Sequence, residues 1–208
     1  MTDVQTANPE IAATIDVGGI ATNYHDVGEG DPVLLIHGSG PGVSAWANWR
    51  GVLPTLSQQH RVIAPDVLGF GYTERPEGVT YDMATWSEHL VGLLDALGLE
   101  RVAVVGNSFG GALALNIATH HPERVDKLVL MGAAGVPFEI TEGLDNVWGF
   151  EPSLANMIEL MDVFAYDKSL LTEDLAQLRL DAATRPGVHE AFSAMFPAPR
   201  QRWVEALA

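Results

Sequence analysis

The sequence predicts an α/β fold, a mostly parallel sheet with helices on both faces and a helical lid. Three observations carry this. Short β-rich runs alternate with helical patterns from residue 11 to residue 138. Pro32–Ile36 is apolar throughout, as a strand buried on both faces must be. After Phe138 the rhythm changes, and 139–207 holds helical stretches without a clear strand.

The elements follow in order. Ile11–Ile15 and Ile20–His25 flank Val17-Gly18-Gly19, a hairpin signal, and Gly28–Asp31 is a second turn. Pro32–Ile36 runs into the Gly-rich loop His37-Gly38-Ser39-Gly40-Pro41-Gly42. A short helical segment around Ala45–Leu56 precedes the strand Arg61–Pro65. Asp82–Leu97 has helical spacing at Met83, Trp86, Leu90, Leu93, Leu94 and Leu97, with Gly98 as its cap. Val102–Val105 is a strand, Ser108–His120 a helix stopped by Pro122, and Val125–Met131 the sixth strand. Beyond it, Ser153–Phe164 is amphipathic, with Leu154, Met157, Ile158 and Met161 on one stripe. Thr172–Ala183 opens with an N-cap and two acids, Glu173 and Asp174. Residues 1–136 are expected to form the core and 137–208 the lid.

Composition narrows the function. The 208 residues fit one domain or part of a larger one, and 47% hydrophobic with 18% charged residues supports a packed core. Acids outnumber bases 27 to 11, for a net charge of −16, which repels nucleic acid and anionic membranes. Cysteine is absent, so disulfides, thiolate metal sites and cysteine nucleophiles are excluded. The start, MTDVQTANPE, lacks the features of a secretion signal, and the uncharged stretch Leu128–Phe138 is too short to span a bilayer. A cytoplasmic protein is expected. No metal or organic cofactor is implied, since no His, Asp and Glu set has ligand spacing and no phosphate loop is present.

The strongest chemical signal is Gly106-Asn107-Ser108-Phe109-Gly110, placed between a strand and a helix. That is the G-x-S-x-G nucleophile elbow in its required context. The serine sits on a tight turn that projects its hydroxyl, and side chains two residues away would collide, hence Gly106 and Gly110. The N–H of Phe109 opens the helix and can stabilise an oxyanion. Arg179 shares a helical face with Leu175, Leu178 and Ala182, where it either pairs with a substrate carboxylate or snorkels at the helix edge. Asn107 is either a binding group or a turn residue. His37 is expected to hold its loop by hydrogen bonds rather than act as a base.

The chain resembles the meta-cleavage product hydrolases, carbon–carbon hydrolases of the α/β-hydrolase superfamily, nearest to the 2-hydroxymuconate-semialdehyde hydrolases. The resemblance rests on Thr22–Asp26, Leu35–Gly42, Arg61–Asp66, Gly69–Pro76, Gly106–Gly111 and Met195–Trp203. It implies hydrolysis of a 2-hydroxy-6-oxohexa-2,4-dienoate to 2-hydroxypenta-2,4-dienoate and a carboxylic acid, in aromatic catabolism. It further implies Ser108 as nucleophile, the N–H groups of Ser39 and Phe109 as oxyanion hole, and Gly38, Gly40, Asn48, Asn107 and Arg179 as substrate contacts. Such enzymes are typically homo-oligomers without a cofactor.

One departure matters. The family's triad acid and His follow strands after the lid, and this chain reaches Ala208 without them. The expectation is that the C-terminal strands and helices are missing, with little turnover by these residues alone and an open, poorly soluble sheet edge. His189, in the lid, is the least implausible substitute base, and Glu139 or Glu142 the substitute acid. Two other readings compete. A generic serine esterase or lactonase would prefer p-nitrophenyl esters. A non-catalytic binding form would bind dienoate without bleaching it.

Overall fold

The computed structural model describes residues 8–208, so the reading of the amino-terminal signal falls largely outside the described residues. In chain order the elements are β1 (Ala13–Val17), β2 (Ile20–Val27), β3 (Pro32–Ile36), α1 (Ala45–Trp49), α2 (Leu53–Leu56), β4 (Arg61–Pro65), α3 (Met83–Ala96), β5 (Val102–Asn107), α4 (Phe109–His120) and β6 (Val125–Met131). Then come α5 (Glu142–Trp148), α6 (Leu154–Phe164), α7 (Glu173–Ala183), α8 (Val188–Met195) and α9 (Gln201–Ala206).

The six strands run in the order β1-β2-β4-β3-β5-β6. β1 and β2 pair antiparallel, as do β2 and β4, while β3 is parallel to β4 and β5, and β5 to β6. The hairpin closes over Gly18 and Gly19, both with positive φ (61° and 90°), and Val17 pairs with Ile20. That two-residue turn places Val17 in the strand, so β1 lies two residues later than the sequence suggested.

Side-chain alternation divides the sheet. Val33 and Leu35 of β3, with Val62 and Ala64 of β4, pack beneath Trp49 and Leu53 of α1 and α2. Leu34, Ile36, Ile63 and Val104 join α3 and α4 on the opposite face. The lid contributes Trp148, Met157, Phe192 and Phe196 to that second cluster, so sheet and lid share one apolar core. β6 is the open sheet edge expected from the sequence, not a strand covered on both faces. Val129, Leu130 and Met131 are 52%, 41% and 46% exposed, leaving an edge strand with uncovered apolar side chains.

Three local readings are corrected. The segment Ala45–Leu56 is two short helices, broken at Arg50–Val52, and Pro54 opens the second. On α6 the buried residues are Met157, Leu160 and Met161, while Ile158 is 44% exposed. On α7 Leu178 is 66% exposed, so it does not share a face with Arg179; Ala176 and Ala183 form the buried stripe instead. Adjacent helical residues lie about 100° apart, and the neighbouring α6 selects which is covered.

Among the described residues no helix is long and apolar enough to cross a membrane.

Candidate active site

The strand order reverses at β3, which pairs with β4 on one side and β5 on the other. The loops leaving β3 and β5 therefore diverge and open a crevice at the carboxyl end of the sheet. Ser39 sits in the first loop and Ser108 follows the second strand.

Ser108 has φ 53° and ψ −116°, and no other non-glycine residue among those described has positive φ. Such a conformation is costly and persists only where the surroundings fix it. Here they do. Its N–H donates to Met131 O at 2.9 Å, and its carbonyl accepts from Gly111 N at 2.9 Å and Ala134 N at 3.1 Å. A Cβ at Gly106 would strike Gly110 O, and one at Gly110 would strike Ile36 O and His37 O. The elbow is thus built by backbone contact between β3, β5 and α4. The Ser108 hydroxyl has no hydrogen-bond partner among the described residues, and the N–H groups of Ser39 and Phe109 take no acceptor there.

A cavity of about 340 Å³ lies above Ser108. Gly38, Ser39, Gly40, Asn48, Asn107, Ser108 and Arg179, named from the sequence, all line it. Phe109 does not: its ring is buried in the aromatic core, and only its N–H, at the start of α4, faces the elbow. Val43, Met161, Phe164 and Leu175 supply apolar walls.

Asn48 is turned inward. Its Oδ1 accepts from Gly38 N at 2.9 Å and from Asn107 Nδ2 at 3.1 Å, so one side chain ties three elements together. Because Oδ1 is occupied, its amide N–H groups are the atoms left for a ligand. Arg179 reaches the cavity from α7, which packs tightly on the β3 loop: a Cβ at Gly42 would lie 2.8 Å from Ala182 C. Its guanidinium has no hydrogen-bond or ion-pair partner among the described residues. Burial lowers its pKa, repulsion from Arg50 adds to this, and Glu10 opposes it; an arginine nonetheless stays charged. A half-buried, unpaired guanidinium facing a cavity has the chemistry to pair with a carboxylate.

None of the seven histidines lines the cavity. His37 is wholly buried, its Nδ1–H donating to Gly38 O at 2.8 Å and its Nε2 accepting from Val67 N at 2.9 Å. Burial pushes its pKa down to about 4, so it is a neutral brace for the loop. His25 stacks on Trp46, and His89 bonds to Thr22. His60 sits at the entry of β4, and His120 and His121 lie at the far end of α4. His189 faces Ser193 at 3.5 Å, away from the cavity, and Glu139 and Glu142 are exposed outside it. Among the described residues no cluster of three His, Asp or Glu side chains is placed to hold a metal.

The model of the alpha/beta hydrolase fold family matches residues 31–204. A 2-hydroxy-6-oxo-2,4-heptadienoate hydrolase of Pseudomonas putida is 63% identical over 97% of the chain, which spans 73% of that protein. A 2-hydroxymuconate semialdehyde hydrolase of a Pseudomonas species is 60% identical, with 71% of its length spanned. A solved structure of a meta-cleavage product hydrolase from Pseudomonas fluorescens superposes with a TM-score of 0.95 at 58% identity, over 97% of this chain and 74% of that one. The chain belongs to the meta-cleavage product hydrolases.

Two features of this hydrolase were hidden from sequence reasoning. Asp66 is fully buried and accepts from Ala45 N at 2.6 Å, Tyr72 N at 2.7 Å and Asn23 Nδ2 at 2.8 Å. Burial raises its pKa, and these three donors oppose the rise. It fixes the start of α1 and hence Asn48. Its signal was a lone acid after an apolar strand, followed by Gly69-Phe70-Gly71. The other is Trp148, whose indole N–H donates to Ser39 Oγ at 2.9 Å from the lid. No local pattern in the sequence links it to the β3 loop, 109 positions away.

Proposed function

We propose that this chain binds a 2-hydroxy-6-oxohexa-2,4-dienoate, the product of aromatic ring fission, for hydrolysis of its C5–C6 bond. The observation that carries this is the sharing of one cavity by the strained Ser108, the Asn48–Asn107 pair and the unpaired Arg179. Arg179 takes the substrate carboxylate, and Asn48 and Asn107 take the dienoate oxygens. The C6 carbonyl then lies over Ser108, with the N–H groups of Ser39 and Phe109 receiving the negative charge that develops on its oxygen. Gly38 and Gly40 admit the ligand close to the backbone. Ser108 is the nucleophile: C5 leaves C6 with a proton, and water supplies the hydroxyl of the released acid. The products are 2-hydroxypenta-2,4-dienoate and a carboxylic acid.

A second reading follows from the seven histidines, none of which faces the cavity. Proton transfer from Ser108 needs a base within hydrogen-bond reach. Without one, these 208 residues bind the dienoate and do not turn it over. Residues 1–136 act as the core and 137–208 as the lid of a cytoplasmic homo-oligomer, a reading supported by the family resemblance.

Titration with 2-hydroxy-6-oxohepta-2,4-dienoate, followed by its visible absorbance, tests both readings. Bleaching that Ser108→Ala abolishes supports hydrolysis by this chain. Saturable binding without bleaching supports the second reading. In either case Arg179→Met is expected to weaken binding by about 10- to 100-fold, from the loss of a charged hydrogen bond. No saturable binding, or a preference for p-nitrophenyl esters, refutes the dienoate assignment.

A further inference from the structure

The lid touches both oxyanion donors through one aromatic pair. Trp148 ends α5, is buried, and donates its indole N–H to Ser39 Oγ at 2.9 Å. An indole nitrogen only donates, so the Ser39 hydroxyl is the acceptor and its own hydrogen remains for another partner. The Trp148 ring lies flat on Phe196, with centroids 4.6 Å apart and planes within 3° of parallel. A stack of that kind fixes the indole plane and with it the direction of the N–H. Phe196 meets Phe109 edge to face at 6.1 Å. Phe109 carries the N–H that directly follows Ser108.

We propose that Trp148 and Phe196 form a positioning unit that sets the spacing of the Ser39 and Phe109 N–H groups, so that lid packing governs the oxyanion hole. This rests on the hydrolase reading above. The two donors belong to different elements. Phe109 is fixed by its place in α4, whereas Ser39 lies between two glycines in a loop without regular structure. His37 and Asn48 hold the Gly38 end of that loop, and the Ser39 side chain has one anchor among the described residues, Trp148. Oxyanion donors act only when placed at about 2.7–3.1 Å from the developing charge, so a drift of a few tenths of an ångström is felt. The anchored hydroxyl is also polarised by the bond it accepts and becomes a better donor into the cavity that Ser39 lines.

The test compares two ligands in the Ser108→Ala chain, which consumes neither. One is 2-hydroxy-6-oxohepta-2,4-dienoate, whose C6 carbonyl reaches the oxyanion hole. The other is 2-hydroxypenta-2,4-dienoate, which has no such carbonyl. Trp148→Phe keeps an aromatic ring on Phe196 and removes the N–H. It is expected to weaken the first ligand about three- to tenfold and the second less than about twofold. Trp148→Phe added to Ser39→Ala is expected to cost nothing more. Equal weakening of both ligands, or no change in either, overturns the proposal. If neither ligand binds the Trp148 parent, the dienoate reading fails, and the positioning unit is judged from amide spectra. Trp148→Phe must then move the Ser39 amide signal, and an unmoved signal overturns it.

Discussion

Acid should loosen the crevice through His37 before it protonates anything that lines the cavity. The ring is wholly buried and both nitrogens are engaged, Nδ1–H with Gly38 O and Nε2 with Val67 N–H. A second proton would have to sit on Nε2, facing another N–H. Burial therefore holds the pKa at about 4, against 6.5 for an exposed histidine. The folded pKa is depressed, so folding favours the neutral form. This contribution is fully present above pH 6.5 and is lost as pH falls from there toward 4. Between pH 7.5 and pH 4.5 the loss from this one ring is about 2.5 kcal/mol. His89, also brought to about 4 by burial, adds in the same sense, while the raised pKa of Asp66 acts in the opposite one. Urea unfolding of the parent and of His37→Asn at both pH values isolates the ring, because hydrogen bonds lost at both pH values cancel. The expected result is a pH dependence smaller in the variant by about 2.5 kcal/mol. An unchanged pH dependence, or a His37 ring signal that titrates near 6.5, would refute the reasoning.

Two further substitutions probe the frame and the polar wall. Gly110→Ala drives a Cβ into Ile36 O and His37 O, both backbone, and should cost about 2–4 kcal/mol in urea unfolding; a loss under about 1 kcal/mol would show that the elbow can relax. Asn48→Ala removes the acceptor shared by Gly38 N–H and Asn107 Nδ2, so about 1–3 kcal/mol of stability and about tenfold of dienoate affinity should go together. Unchanged affinity would place Asn48 in a structural role alone.

What sequence could reveal depended on how local the cause was. β3 was legible because a strand covered on both faces must be apolar along its whole length. The elbow was legible because its constraint is local: Gly106 and Gly110 are required by contacts within a few residues and the adjoining strand. Asn48 was legible only through family resemblance, since its environment is made by Gly38 and Asn107 from two other elements. The face of α7 was misjudged at Leu178 because helical spacing leaves two adjacent faces open until a packing partner chooses. Trp148 and Ser39 lie 109 positions apart, and no periodicity links them.

The described residues divide the chemistry of a serine hydrolase in a specific way. In the proposed reading, charge recognition and oxyanion stabilisation fall to Arg179, Asn48 and the N–H groups of Ser39 and Phe109 around Ser108. Proton transfer rests on a histidine, and none of those in this chain faces the cavity. The first group acts on bound ligand at equilibrium, whereas the second acts only along the reaction coordinate. Serine hydrolases deprived of a triad member retain a rate of roughly 10³–10⁴ over water from binding and the oxyanion hole alone. Affinity is accordingly the quantity through which Arg179, Asn48 and Trp148 can each be judged, because it does not require the proton transfer. If all three variants bound dienoate as tightly as the parent, the cavity above Ser108 would not be the substrate site, whatever rate the chain displayed.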